Sequence, residues 1–362
     1  MHHPTARLVI SHLVGGDAFA VQAVALVQSA RLFEDDAAVP APIRQQVLET
    51  CLKLPPDQAP AYAHPANQQP VPANEAGLSA QIVPIISSLP VDPALAIGHL
   101  WALTQLWPHV AADERPLLRA RLINGLAAQR INQSALLSPI QLRQYQRQVP
   151  TQFGEQRPSV AALRGMLDAK EPLAAYCQLA EHLGMTNELE TLCWVLGSLN
   201  VQQMQSYHDR HGLLAQTLFG TTACERLAKH IPIDFLLKLI SQIAHRMWWT
   251  RNRGGLQPVI TSLDQIQPPF RVAVNTGDIT LAQRAARKLS AQQPAKFWDE
   301  CWLLVRDLCL QNGADLCPVL TVLDATRWRA GDGIPSGDDA AAVATMFADC
   351  TWHHRPPRKA TS

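Results

Sequence analysis

Charge is scarce in this sequence. Only 17% of its 362 residues are Asp, Glu, Lys or Arg, against about 25% in an ordinary globular domain, and the two signs nearly cancel, at a formal net charge of +1. No global field therefore draws the chain to nucleic acid or to an acidic membrane. No apolar run reaches the roughly 18 residues of a membrane helix, since Gln22, Gln28, His99, Lys238 and Gln242 interrupt the most apolar stretches. Met1-His2-His3-Pro4 lacks the charged and apolar regions of a signal peptide. Cys-x-x-Cys is absent, and the eight cysteines (Cys51, Cys177, Cys193, Cys224, Cys301, Cys309, Cys317, Cys350) are scattered. That usage predicts reduced, mostly buried thiols in a cytoplasmic protein rather than a disulfide framework.

The common catalytic signatures are missing too. Gly-x-Gly-x-x-Gly, the P-loop, Gly-x-Ser-x-Gly and His-Glu-x-x-His do not occur, which removes the usual nucleotide, hydrolase and metalloprotease readings. Without Glu-x-x-His, a ferritin-like di-iron bundle is also disfavoured. No cofactor is named by any motif.

What the chain has is apolar material at helical spacing. At 47% hydrophobic it has enough to offset the entropy of ordering. From Asp17 to Phe33, the residues Phe19, Ala23, Leu26, Ala30 and Phe33 share one helix face. Asp92-Pro93 predicts an N-cap with proline in the first turn, opening a helix that Pro108 stops. Ser206 with Asp209, Thr222 with Glu225 and Ser336 with Asp339 have capping-box spacing. Leu236, Ile240, Ile243 and Met247 stripe a helix from Asp234 to Trp249. Further helices are expected near 40–53, 113–130, 136–148, 159–168, 171–183, 187–198, 278–292, 295–312 and 316–329. Period-two alternation is hard to find, and Pro84 interrupts the run Ile82–Ile86. The expected fold is all-α, a multi-helix bundle or helical-repeat-like array with no substantial sheet. Residues 1–352 read as one large helical domain with a proline-rich crossover over 55–75, and 353–362 as a disordered basic tail.

Histidines are the main candidates for chemistry. His99 shares a face with Leu95, Ala102 and Leu106, and His211 shares a stripe with Tyr207, Leu214 and Leu218, so both rings are expected to point inward. An inward imidazole can orient a ligand or move a proton as a general acid or base; its alternative is a core histidine bonded to a backbone carbonyl or a hydroxyl. His208 and His211 form a His-x-x-His pair that could share a metal, although His208 is expected in an exposed first helical turn, where Asp209 serves as a cap. His245 lies roughly 140° round its helix from Ile240, on the polar face beside Lys238. The run His245-Arg-Met-Trp-Trp-Thr-Arg-Asn-Arg253 mixes arginine with tryptophan as a single-strand nucleic-acid platform would. In a neutral chain it reads better as a packed helix end.

The segment Tyr207 to Trp249 resembles part of the questin oxidase-like family of helical proteins, through a helix opening at His211-Gly-Leu-Leu-Ala-Gln-Thr-Leu-Phe, a second helix and a third ending in Trp248-Trp249. The resemblance implies oxidation of a polycyclic aromatic or similar small molecule in an all-helical pocket, with a reduced nicotinamide as one compatible cofactor. It carries over His211 alone. Two readings follow: a small-molecule-modifying, oxidoreductase-like enzyme using His211 and His99 on a largely apolar substrate, or a non-catalytic helical scaffold. The partners expected are a small-molecule ligand, another protein or a second copy of the chain, with nucleic acid disfavoured.

Overall fold

A computed structural model describes residues 45, 68–88, 91–128, 136–138, 140, 189–209, 212–260, 268–311, 316–331 and 333–353. The helices expected at 17–33, 159–168 and 171–183 lie outside them, as do almost all of those at 40–53 and 136–148 and all but the first residue of the 353–362 tail. Helices account for 79% of what is described, and the remaining regular structure is one two-stranded pairing. The fold is all-α. No helix among the described residues is long and apolar enough to cross a membrane.

The first helix, α1 (Glu75–Ser88), runs straight through Pro84. Proline inside a helix costs a hydrogen bond and crowds the preceding turn. Here Leu78, Ile82, Val83, Ile85 and Ile86 are all buried, so packing outweighs that local penalty. Ahead of it, residues 68–74 are irregular. Four of their carbonyls serve as acceptors for side chains: Arg119 donates to the Gln69 and Pro70 oxygens, Arg115 to Ala73 and Trp107 to Pro72.

α2 (Pro93–Leu106) begins as its sequence dictates, with the Asp92 carboxylate accepting from Ala94 and Leu95 N–H. A single 3-10 turn over Trp107–His109, carrying Pro108, ends it. There follow α3 (Arg115–Ala128), α4 (Leu189–Ser206), β1 (Tyr207–His208), α5 (Leu213–Leu227), α6 (Ile233–Arg253), β2 (Gln257–Pro258), α7 (Phe270–Thr276), α8 (Ile279–Gln292), α9 (Pro294–Cys309), α10 (Cys317–Ala330) and α11 (Gly337–His353). β1 and β2 pair antiparallel, Tyr207 opposite Pro258 and His208 opposite Gln257.

Two helices organise the packing. α5 touches α2, α4, α6 and α10, while α11 touches α4, α7, α8, α9 and α10. A contiguous cluster of buried apolar side chains runs from Leu78 to Ala348. α11 is buried all round through its middle, from Ala340 to Ala348, as befits a helix apolar on every face. Its start has the N-cap half of a capping box: Ser336 Oγ accepts from Asp339 N–H at 3.1 Å, while the Asp339 carboxylate takes the Ser336 hydroxyl at 2.7 Å rather than the Ser336 backbone N–H.

The other two capping-box expectations are corrected. Ser206 ends α4, its hydroxyl donating to the Gln202 carbonyl. Thr222 lies inside α5 and donates to the Leu218 carbonyl. His245 is buried at 7% exposure and stacks on Trp248, because α6 has neighbours on several sides (α1, α2, α4 and α5) and so buries its second face as well. Arg246 turns inward to Asp92 at 2.9 Å and stacks on Trp249, which removes it from any nucleic-acid face.

α2 and α5 meet at their glycines. A Cβ on Gly220 would lie 2.4 Å from Ala94 Cα and 2.9 Å from its carbonyl oxygen, and one on Gly98 would lie 2.0 Å from the Phe219 ring. Backbone cannot swing aside as a side chain can, so the helices would have to separate. Gly220→Ala is expected to destabilise the protein by about 3 kcal/mol, more than its gain in helix propensity of about 1 kcal/mol returns. Denaturant midpoints check this; a variant as stable as the parent would show that the contact yields.

Candidate functional site

The best-built polar arrangement lies where α4 ends, α5 begins and α11 passes. β1 holds His208 with its side chain 27% exposed, and α11 presents Asp349, whose side chain is 5% exposed. His208 Nδ1 lies 2.7 Å from Asp349 Oδ1. The other carboxylate oxygen accepts from the Asp209 backbone N–H at 2.8 Å. A carboxylate oxygen accepts, so Nδ1 is the ring nitrogen that donates to Asp349 and Nε2 is the one left for a ligand. A buried carboxylate fixing the tautomer of an accessible imidazole is the arrangement a general base requires.

Asp209 follows directly in the chain and is 2% exposed. Its Oδ2 accepts from Ala215 N–H at 2.8 Å, so it caps α5 across a gap of six residues. Burial pushes its carboxyl up to about 6 from an ordinary 3.8, and the neighbouring Asp349 charge adds to that rise, while the first-turn N–H groups of α5 oppose it. Its Oδ1 has no hydrogen-bond partner. Between Asp209 and α5, Gly212 takes a left-handed conformation (φ 62°), and any Cβ there would meet Pro318 at 2.9 Å. That position requires glycine on both counts.

His208 is thus on a strand and half-buried, not in an exposed first turn of a helix. Tyr207 shares the strand, so it is not on a helical stripe with Leu214. His211 lies outside the described residues, and with it the His208–His211 metal pair. Among the described residues no group of three or more His, Cys, Asp and Glu is arranged to hold a metal. His99 points inward as its spacing predicts and is 3% exposed, yet neither ring nitrogen has a partner. Burial pushes its pKa down to about 4, which keeps the ring neutral. No hydrogen bond joins it to His208. Cys224 and Cys309 are poor nucleophiles: burial pushes the first up to about 12 and the second up to about 11.

Reading the sequence missed Asp349, which pairs with a residue 141 positions away. One signal was present: Asp349 is the only charge from Ala340 to Thr351, and a lone charge in an apolar helix must find a partner. Comparison with protein-family models, with curated proteins and with solved structures gave no match to this chain.

Proposed function

We propose that this chain is a small-molecule-modifying helical enzyme in which His208, oriented by Asp349, takes a proton from the substrate. The observation that carries the reading is the 2.7 Å contact between a buried carboxylate and an accessible imidazole. His208 replaces the pair His99 and His211 as the acid–base group, and the questin oxidase-like resemblance adds an oxygenase-like oxidation of a largely apolar compound as the reaction class, with dioxygen as the oxidant that takes the substrate's electrons. The substrate's proton leaves to His208 Nε2, and Asp349 stabilises the imidazolium that forms.

The test works with an unidentified substrate. Purified protein is incubated with a small-molecule extract, and conversion is followed by mass spectrometry. The wild type should deplete at least one compound, and His208→Gln should slow that conversion by about 10²–10⁴-fold. Asp349→Asn should slow it as well, since it favours the wrong tautomer. Equal conversion by wild type and His208→Gln would overturn the assignment.

A second reading, a non-catalytic scaffold that binds a protein partner, is favoured by Trp194 and Trp328, each 45% exposed. Arg329 stacks on Trp194 and Arg226 on Trp328, and rigid Trp–Arg pairs of this kind are the residues that dominate interface energetics.

A further inference from the structure

We propose that Asn200, Gln203 and Asp209 form a recognition subsite beside His208–Asp349 for a small neutral molecule that presents an N–H next to a C=O, as the edge of a lactam or imide does. The inference deepens the enzyme reading and rests on it for the identity of the ligand as substrate.

The geometry centres on one peptide group. Asn200 Nδ2 donates to the Leu214 carbonyl at 2.5 Å, and Asp209 Oδ2 accepts from Ala215 N–H at 2.8 Å. Those two backbone atoms belong to the same peptide unit, so the side chains flank it from either end. Gln203 lies one turn beyond Asn200 on α4, on the same face. All three residues are at most 3% exposed. Asn200 Oδ1, Asp209 Oδ1 and both Gln203 amide atoms lack hydrogen-bond partners. Buried polar atoms are almost always satisfied, and leaving them bare is costly. Two of the side chains that carry these four orphaned atoms bond the same peptide unit, and the third lies one turn away on α4.

Their chemistry selects the ligand. Asn200 Oδ1, Gln203 Oε1 and Asp209 Oδ1 accept, and Gln203 Nε2 donates. An anionic ligand would set acceptors against acceptors, and an ammonium would leave the Gln203 donor unmatched. A neutral amide edge pairs with the Gln203 carboxamide through two hydrogen bonds and offers further N–H to the remaining oxygens. Asp349 links this subsite to the catalytic imidazole, because it holds His208 with one oxygen and the Asp209 backbone with the other.

The test uses 2-piperidone and cyclohexanone, rings of about seven heavy atoms each, for which millimolar affinity is expected; the ketone lacks the N–H. Titrated into the full chain and followed by calorimetry and by the Gln203 side-chain amide resonance, 2-piperidone should bind at least 10-fold more tightly and shift that resonance. Gln203→Met should weaken lactam binding at least 10-fold without lowering the melting temperature. His208→Gln should bind the lactam unchanged, so loss of the acid–base role and loss of the subsite are separately visible. Equal binding of lactam and ketone, an unmoved Gln203 resonance, lactam binding that survives Gln203→Met, or ordered water alone at these atoms would overturn the proposal.

Discussion

Replacing Asp92 with alanine is expected to destabilise the protein more than any other single change considered, by about 3–5 kcal/mol from stranding Arg246 and about 1 kcal/mol from losing the cap of α2. One carboxylate performs both tasks. Oδ1 receives the Ala94 and Leu95 N–H groups, and Oδ2 receives Arg246 Nε from α6, 154 residues later. The Asp92 and Arg246 side chains are 10% and 7% exposed respectively, so water cannot replace the lost partner. Asp92→Asn keeps an acceptor for the helix and should recover only the capping part. Arg246→Met should be the mildest, at about 1–3 kcal/mol, because the α2 N-terminus still stabilises the carboxylate left behind. Urea midpoints of the three variants decide the matter. If Asp92→Ala and Asp92→Asn both fell within about 0.5 kcal/mol of the parent, the pair would contribute nothing to folding.

The second large effect is one that the parent protein hides. His99 is held down at about 4 by burial, below its ordinary 6.5. Between those values the unfolded chain takes up a proton that the folded one refuses, so acidification from pH 6.5 to 4 removes stability, by about 3 kcal/mol. Asp209 is held up at about 6, above its ordinary 3.8. Between those values the folded chain holds a proton that the unfolded one has released, so the same acidification adds stability, again by about 3 kcal/mol. The two slopes oppose each other over nearly the same window. Asp209→Asn should therefore lose stability steeply between pH 6.5 and 4, His99→Leu should gain it between pH 6 and 4, and the double variant should follow the parent. Denaturant midpoints measured across that range would show parallel curves for all four proteins if burial did not perturb these two groups.

How much of this was legible depended on whether a feature is local. Asp92-Pro93 and Ser336 with Asp339 announce helix starts because a cap satisfies its own next few N–H groups. The stripe Leu236, Ile240, Ile243 and Met247 was legible for the same reason, one face repeating every turn. Ser206 and Thr222 misled because a Ser or Thr three residues before an acid also occurs inside and at the ends of helices, where the hydroxyl bonds the carbonyl four residues back. Pro84 reads as a break until the burial of its neighbours is known. His245 was misplaced because a helical wheel divides a helix into one wet face and one dry face, whereas α6 is enclosed by several helices. The candidate site was the least legible part: a two-residue strand has no period to detect, and Asp349 approaches His208 only through the packing of α11 on α4. Neither Asn200 nor Gln203 stands out in a helix that also carries Gln202 and Gln205.

The position of α11 also has a temporal meaning. Asp349 and the alanine-rich core helix that carries it are synthesised about 7–28 s after His208, at roughly 5–20 residues per second on the ribosome. Until then α4, α8 and α10 emerge with the faces that α11 will cover still open, and the imidazole has no carboxylate to orient it. A growing chain exposes that apolar surface throughout the interval, and a message truncated before residue 349 would yield a product that lacks the partner of His208.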